Sequence, residues 1–294
     1  MNIGQKIREL RVAKLMTQAE LAGNHITRNM LSCIENGSAQ PSLSTILYIA
    51  ARLNVPAGFL LAEEGDEIVY RKMSGFENIK SAYVAKDLRG CRSLCLSTCP
   101  EPDDEICLLL AECNAGIAEE EFWDGRLHSA CRFFDEALEY AERSMYQTAH
   151  IEAKARVFFR YMRRLSATLY SDVLDEEREI LLSDASPFAE YVTVMEAMDD
   201  GKTEVAERFL ENTDENSFFT DHVRIRLMME RADFEEAKAL LLQLLDAVEP
   251  LNKISLYTVL CELEVCCRET EDFKGAYNHA SDKLLLLEQL LKEV

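Results

Sequence analysis

The start of the chain alternates short apolar-periodic runs with small polar punctuation. Ile3, Ile7, Leu10 and Val12 are spaced for one helical face, which predicts a first helix over roughly 3–14. Thr17-Gln18-Ala19-Glu20 has the order of a capping box, in which the threonine hydroxyl accepts from the Glu20 backbone and Glu20 reaches back. The helix it opens ends at Gly23, a residue suited to a left-handed C-cap. Thr27 caps a third helix over about 28–36, closed by Asn36-Gly37. Pro41 and Ser42 start a fourth, with Leu43, Ile46, Ile49, Ala50 and Leu53 on one face. Pro56 precedes a fifth over 57–61. Leu31 and Ile34 are expected in the core and Met30 at its edge.

Beyond residue 76 no Gly/Pro-rich tract interrupts the chain. What recurs is a small residue followed four positions later by a larger apolar one. Ala130 is followed by Phe134 and then Ala137, after the opening Gly125-Arg126-Leu127. Asp233-Phe234 leads to Ala237 and Asp272-Phe273 to Ala276. Weaker copies centre on Cys91 and Ala206. The spacings between these anchors are 39, 76, 31 and 39 residues, which resembles the period of about 34 of degenerate tetratricopeptide repeats. The small anchor lets two helices approach closely, and stacked hairpins form an α-solenoid with a concave groove. About five or six hairpins are expected, the third (147–184) from required length alone. Residues 282–294 read as a leucine-rich amphipathic helix that caps the last repeat or packs in a dimer interface. With only 6 Pro and 11 Gly, an all-β chain is disfavoured, and the expected fold class is all-α.

Five short helices, two joined by a tight turn near Gly23, describe a helix-turn-helix unit. The run 17–22, then 26–37, then Pro41-Ser42-Leu43, then Ile49-Ala50 followed by Leu53-Asn54-Val55, resembles the lambda-repressor-like (Xre-type) family. The resemblance implies a DNA-binding role with the following site. Thr17 and Gln18 open the second helix, where the family's glutamine hydrogen-bonds a phosphate and braces the recognition helix. Thr27, Arg28 and Asn29 stand at the end of the recognition helix that enters the major groove. Arg28 pairs with guanine and Asn29 with adenine. Ser32 and Cys33 lie one turn further along the same face. Asn36, Gly37 and Ser38 form a loop whose backbone amides contact phosphate. Glu35 is expected to pair with Arg11. Cys33 stands where the family often has a long polar residue, and the loop lacks the usual lysines, so phosphate binding should be weak.

Charge first argues against this and then for it. The 294 residues sum to −21, with a pI near 4.7, unfavourable for a nucleic-acid partner. Residues 1–61, however, hold six cations (Lys6, Arg8, Arg11, Lys14, Arg28, Arg52) against Glu9, Glu20 and Glu35, a balance of +3. The other 26 basic and 50 acidic residues leave −24. The switch falls in the acidic, glycine-bearing stretch Glu63-Glu64-Gly65-Asp66-Glu67. The expected domains are therefore a DNA-binding domain over 1–61, a linker over 62–75 and a repeat body over 76–294. DNA should meet only the first of these, and a ligand of the body should be peptide or protein.

Other chemistry is sparse. No signal-like segment and no run of 18 apolar residues occurs, so a cytoplasmic protein without a membrane partner is expected, with its ten cysteines as thiols. Asp200-Gly201-Lys202-Thr203 resembles a phosphate loop, but Glu196 stands where its first glycine belongs. His25, His128, His150, His222 and His279 have no metal-binding spacing, and no nucleophile motif occurs. No enzyme activity, cofactor or metal is expected. Cys91, Cys95 and Cys99 share a helical face, with Cys107, Cys113, Cys131, Cys261, Cys266 and Cys267 further on. They are read as small apolar packing residues, with a thiol redox or metal sensor as the alternative.

The domain order and length resemble the Rgg-like peptide-responsive regulators. That resemblance implies a homodimer on a roughly palindromic operator in double-stranded DNA, with a signalling peptide or protein in the solenoid groove. A protein-interaction adaptor, such as an antitoxin-like regulator, is the competing class.

Overall fold

A computed structural model describes residues 2–62, 67–174, 186–213, 217–246 and 252–292. Among them are sixteen helices and no strand, and no helix is long and apolar enough to cross a membrane. The chain divides into two compact units, Met1–Pro102 and Asp103–Val294.

The first unit opens with α1 (Ile3–Ala13), α2 (Gln18–Ala22), α3 (Arg28–Glu35), α4 (Leu43–Leu53) and α5 (Ala57–Leu61). Each of the first four starts where a side chain takes over an orphan backbone donor. Asn2 and Gln5 form a capping box on α1, and Thr17 and Glu20 form the one expected on α2. Thr27 Oγ1 accepts from Met30 N at 3.1 Å, and Ser42 Oγ accepts from Thr45 N at 3.2 Å. The helices enclose a core of Ile7, Leu21, Leu31, Ile34, Ile49, Leu53 and Leu60, all essentially inaccessible to water. Each is worth roughly 1.5–3 kcal/mol of transfer free energy. Gly4 sets how closely α1 meets α3, since a Cβ there would lie 2.1 Å from the Ile34 carbonyl oxygen.

Then come α6 (Glu67–Val84) and α7 (Leu88–Thr98), which pack as a hairpin. Its helices approach closely at Gly75, where a Cβ would stand 2.7 Å from Thr98. Residues 67–75, expected as linker, are thus helical, and 63–66 lie outside the described residues. Tyr70 packs edge-on against Phe59 of α5, which gives this stretch a hydrophobic reason to be ordered. The hairpin expected to begin the repeat array accordingly groups with the N-terminal helices.

The second unit holds α8 (Asp104–Trp123), α9 (Leu127–Arg143), α10 (Ala149–Leu165), α11 (Pro187–Asp199), α12 (Thr203–Asn212), α13 (Phe218–Glu230), α14 (Phe234–Leu245), α15 (Lys253–Glu269) and α16 (Phe273–Leu290). Successive helices pair as hairpins. The anchors Cys91, Ala130, Ala206, Ala237 and Ala276 are all buried, each on the second helix of its hairpin. The turns repeat too. Two residues before each of those second helices the backbone is left-handed, at Lys86, Gly125, Gly201, Ala232 and Glu271, with φ between +57° and +77°. A common turn geometry is the backbone form of the degenerate repeat.

Residues 175–184, expected to complete the third hairpin, lie outside the described residues. The leucine-rich segment from 282 is the continuation of α16 rather than a separate helix. First helices of the hairpins meet through an aromatic cluster of Phe122, Phe158, Tyr161, Phe188 and Tyr191. A Cβ on Gly125, in the first turn of the unit, would lie 2.7 Å from Leu290 and 2.8 Å from Lys253, so the array curls until its first hairpin meets its last.

Candidate nucleic-acid interface

The two edges of α3 differ in kind. Leu31, Ile34 and Glu35 are buried, while Arg28, Asn29, Met30 and Cys33 are exposed and Ser32 is half-buried. The expected readers therefore share the solvent edge, and Leu31 and Ile34 form the core edge.

That core edge is fixed by a charged brace. Arg11 donates to both Glu35 carboxylate oxygens, at 2.7 and 3.0 Å, as expected, and to the Met16 carbonyl at 2.9 Å. Gln18 Nε2 donates to Glu35 Oε2 at 2.9 Å. Burial pushes the Glu35 carboxyl up, but the bonds from Arg11 and Gln18 and the charges of Arg11 and Arg8 pull it below its ordinary 4.5. The bond to Glu35 in turn raises the Arg11 guanidinium.

Several expected contact groups are occupied within the fold. Thr17 Oγ1 donates to Glu20 Oε2 at 2.8 Å and accepts from the Glu20 amide at 3.2 Å, so its hydroxyl serves the cap. The backbone amides of Asn36, Gly37 and Ser38 donate to Ser32 O, Ile34 O and Cys33 O at 3.0, 3.0 and 2.9 Å. These bonds satisfy the orphan carbonyls at the end of α3. The three amides expected to contact phosphate thus have acceptors within the fold. Ser38 Oγ also donates to Cys33 O, at 3.0 Å.

Residues 7–60 match the helix-turn-helix family. No curated protein matches the chain. Three solved structures are similar to it over nearly its whole length. Bacillus thuringiensis PlcR in complex with the peptide PapR7 and DNA is 15% identical over 99% of both chains, with a TM-score of 0.26. The Streptococcus dysgalactiae SHP pheromone receptor Rgg2 is 12% identical over 99% of this chain and 79% of that one, with a TM-score of 0.20. Apo ComR from S. thermophilus is 15% identical over 98% and 96%, also with a TM-score of 0.20.

In the helix-turn-helix domain the positive balance is not all on the surface. Lys6 is buried and donates to the carbonyls of Phe59 and Ala62, at 3.3 and 2.6 Å, at the end of α5. Arg11 is held by Glu35, and Arg52 donates to the Glu20 carbonyl at 2.5 Å. Arg8, Lys14 and Arg28 remain exposed, with no bond to another described residue. A stack that the sequence pattern did not suggest holds the turn between α2 and α3. His25 lies on the Tyr48 ring at 4.4 Å, and Arg52 lies over the same ring at 5.8 Å. Gly23, at φ +54°, makes room for it, since a Cβ there would meet the Tyr48 hydroxyl at 2.2 Å.

The cysteine row is packed. Cys91, Cys95 and Cys99 are buried, and burial together with its neighbouring thiols pushes Cys95 up to about 12. Among the described residues no three His, Cys, Asp or Glu side chains are placed to hold a metal ion.

Proposed function

We propose that this chain is a sequence-specific transcription regulator in which a homodimer reads double-stranded DNA and the helical repeat body receives a peptide or protein effector. The observation that carries the reading is α3 itself. Its exposed edge presents Arg28 and Asn29 while its other edge is braced by Arg11, Gln18 and Glu35. In this reading Arg28 and Asn29 contact bases, with Ser32 and Cys33 against the same groove. The side chains of Gln18, Thr27, Asn36 and Ser38 approach the DNA backbone, Thr17 holds Gln18 in place, and Gly37 supplies the turn at φ +73°.

Dimerisation is supported by α16, which exposes Phe273, Tyr277, Leu284 and Leu285, by 58–75% each. An end helix that exposes four large apolar side chains among its polar ones suits a two-fold contact with a second copy. DNA contact is confined to residues 1–61, because the remainder is strongly acidic. The adaptor reading has its own support in exposed Leu43 and Leu47, one turn apart on α4 of the same domain. The burial of Cys91, Cys95 and Cys99 counts against a thiol sensor.

A gel-shift titration of Arg28→Ala tests the reading. Loss of a bidentate guanine contact costs about 1–3 kcal/mol and relaxes specificity at one base position. Unchanged affinity and unchanged sequence preference would refute the assignment of α3.

A further inference from the structure

The water-facing side of α3 is divided lengthwise by chemistry. At about 100° per residue, its exposed and half-buried positions run around the helix in the order Arg28, Ser32, Asn36, Asn29, Cys33, Met30. The first four are polar and the last two carry sulfur. Leu31, Ile34 and Glu35 close the circle on the buried side. Cys33 is exposed near the middle of the water-facing arc, one turn after Asn29, and Met30 beside it is 40% exposed. None of the six positions is acidic, so nothing on this arc repels the phosphates that flank a DNA groove.

Both sulfur-bearing residues are held by bonds outside the helical ladder. The Met30 amide donates to the capping hydroxyl of Thr27 at 3.1 Å. The Cys33 carbonyl accepts from Ser38 N at 2.9 Å, from Ala39 N at 3.2 Å and from Ser38 Oγ at 3.0 Å. Their backbones are thus fixed before any partner arrives, which lowers the ordering cost of a contact. Neither side chain can read a base through paired hydrogen bonds, because a thioether is a weak acceptor and a thiol a weak donor. Both are soft, polarizable and apolar. In the major groove a base pair presents one apolar group, the 5-methyl of thymine.

We propose that Met30 and Cys33 are specificity-determining residues that pack against thymine 5-methyl groups, while Arg28 and Asn29 read the hydrogen-bonding edges of neighbouring bases. The inference rests on the reading of α3 as the DNA-recognition helix and adds what its sulfur strip selects. The strip is continuous with the polar strip, since Cys33 follows Asn29 by one turn on the same face, so a groove that admits one admits the other. Its operator should therefore hold thymine in each half-site, chosen for its methyl group and not only for its pairing.

The test uses the full-length protein and the double-stranded site it selects from a randomised pool, with each thymine replaced in turn by deoxyuridine. The replacement removes one methyl group and leaves every hydrogen-bonding group of the base pair in place. Fluorescence anisotropy at fixed salt should show at least one thymine in each half-site whose replacement weakens binding about fourfold, the worth of one buried methyl-sized group. Cys33→Ser or Met30→Gln, both at exposed positions and checked by thermal unfolding, should cut that penalty to below about twofold. Wild-type indifference to every replacement, a selected site without thymine, or an unchanged penalty in both variants overturns the proposal and leaves α3 as the DNA reader. Failure to select any DNA site overturns that reading and this inference with it.

Discussion

Gln18, the first residue of α2, donates its side-chain amide across 2.9 Å to Glu35, the last residue of α3. With Arg11 on the same carboxylate, one buried anion ties three helices together. Arg11→Ala would leave that anion short of its charge partner, which costs about 3–5 kcal/mol. The pair also sets an acid limit. Glu35 is lowered in the fold from its ordinary 4.5, so its contribution is fully present above about pH 4.5 and is lost as pH falls through the folded value. Urea unfolding of the first unit, followed through its tyrosines across pH 3–6, should show this loss. Glu35→Gln should be less stable at neutral pH and show a flatter acid profile.

The five left-handed turns make a prediction of opposite sign at different positions. Ala232 holds φ +63° with a side chain that the left-handed region disfavours, so Ala232→Gly should stabilise the repeat body by about 1 kcal/mol. Gly201→Ala should cost about the same, because a Cβ there meets nothing within 4 Å and only the φ of +77° matters. Gly125→Ala should cost more, by a further 1–3 kcal/mol or so, because its methyl must also displace Leu290 and Lys253. Thermal unfolding of the three variants checks the order.

Local signals explain what was legible in the sequence. Thr17 with Glu20, Thr27 and Ser42 cap helices through residues three positions away, and Leu31 and Ile34 follow helical periodicity. The five small anchors were legible because close helix approach excludes larger side chains. What escaped depends on distant partners or on backbone bookkeeping. The stretch 67–75 looked like a linker because acidic residues and Gly65 precede it, and the contact of Tyr70 with Phe59 is not a local pattern. The amides of 36–38 looked free because sequence does not show which carbonyls they close. The meeting of Arg164, His222 and Glu262 around one cleft was not legible because they come from three separate helices.

The accounting of cations predicts the salt dependence of DNA binding. Only Arg8, Lys14 and Arg28 are exposed without a bond to another described residue of the domain. With Arg28 on bases, a dimer using Arg8 and Lys14 neutralises about four phosphates, for a slope of log K against log salt of about −4. Lys14→Ala should reduce the slope by about two in a dimer and weaken all sequences alike. Fluorescence anisotropy at several salt concentrations measures both.

Thiol reactivity should follow exposure. Cys33 is exposed, Cys261 is half-buried and raised mainly by burial, and the other eight cysteines are buried. Ellman's reagent should therefore label Cys33 rapidly in the folded protein and release the remaining thiols only on unfolding. Rapid native labelling of Cys91, Cys95 and Cys99, identified by mass spectrometry, would restore the sensor reading.

The central claim is that α3 reads DNA as part of a dimer. Selection from a randomised double-stranded DNA pool with the full-length protein tests it most directly. The account predicts an enriched, roughly palindromic motif with half-sites about one helical turn, or a multiple, apart. That enrichment should disappear with the double substitution Arg28→Ala, Asn29→Ala. No enriched motif, or the same motif from the double variant, would contradict it.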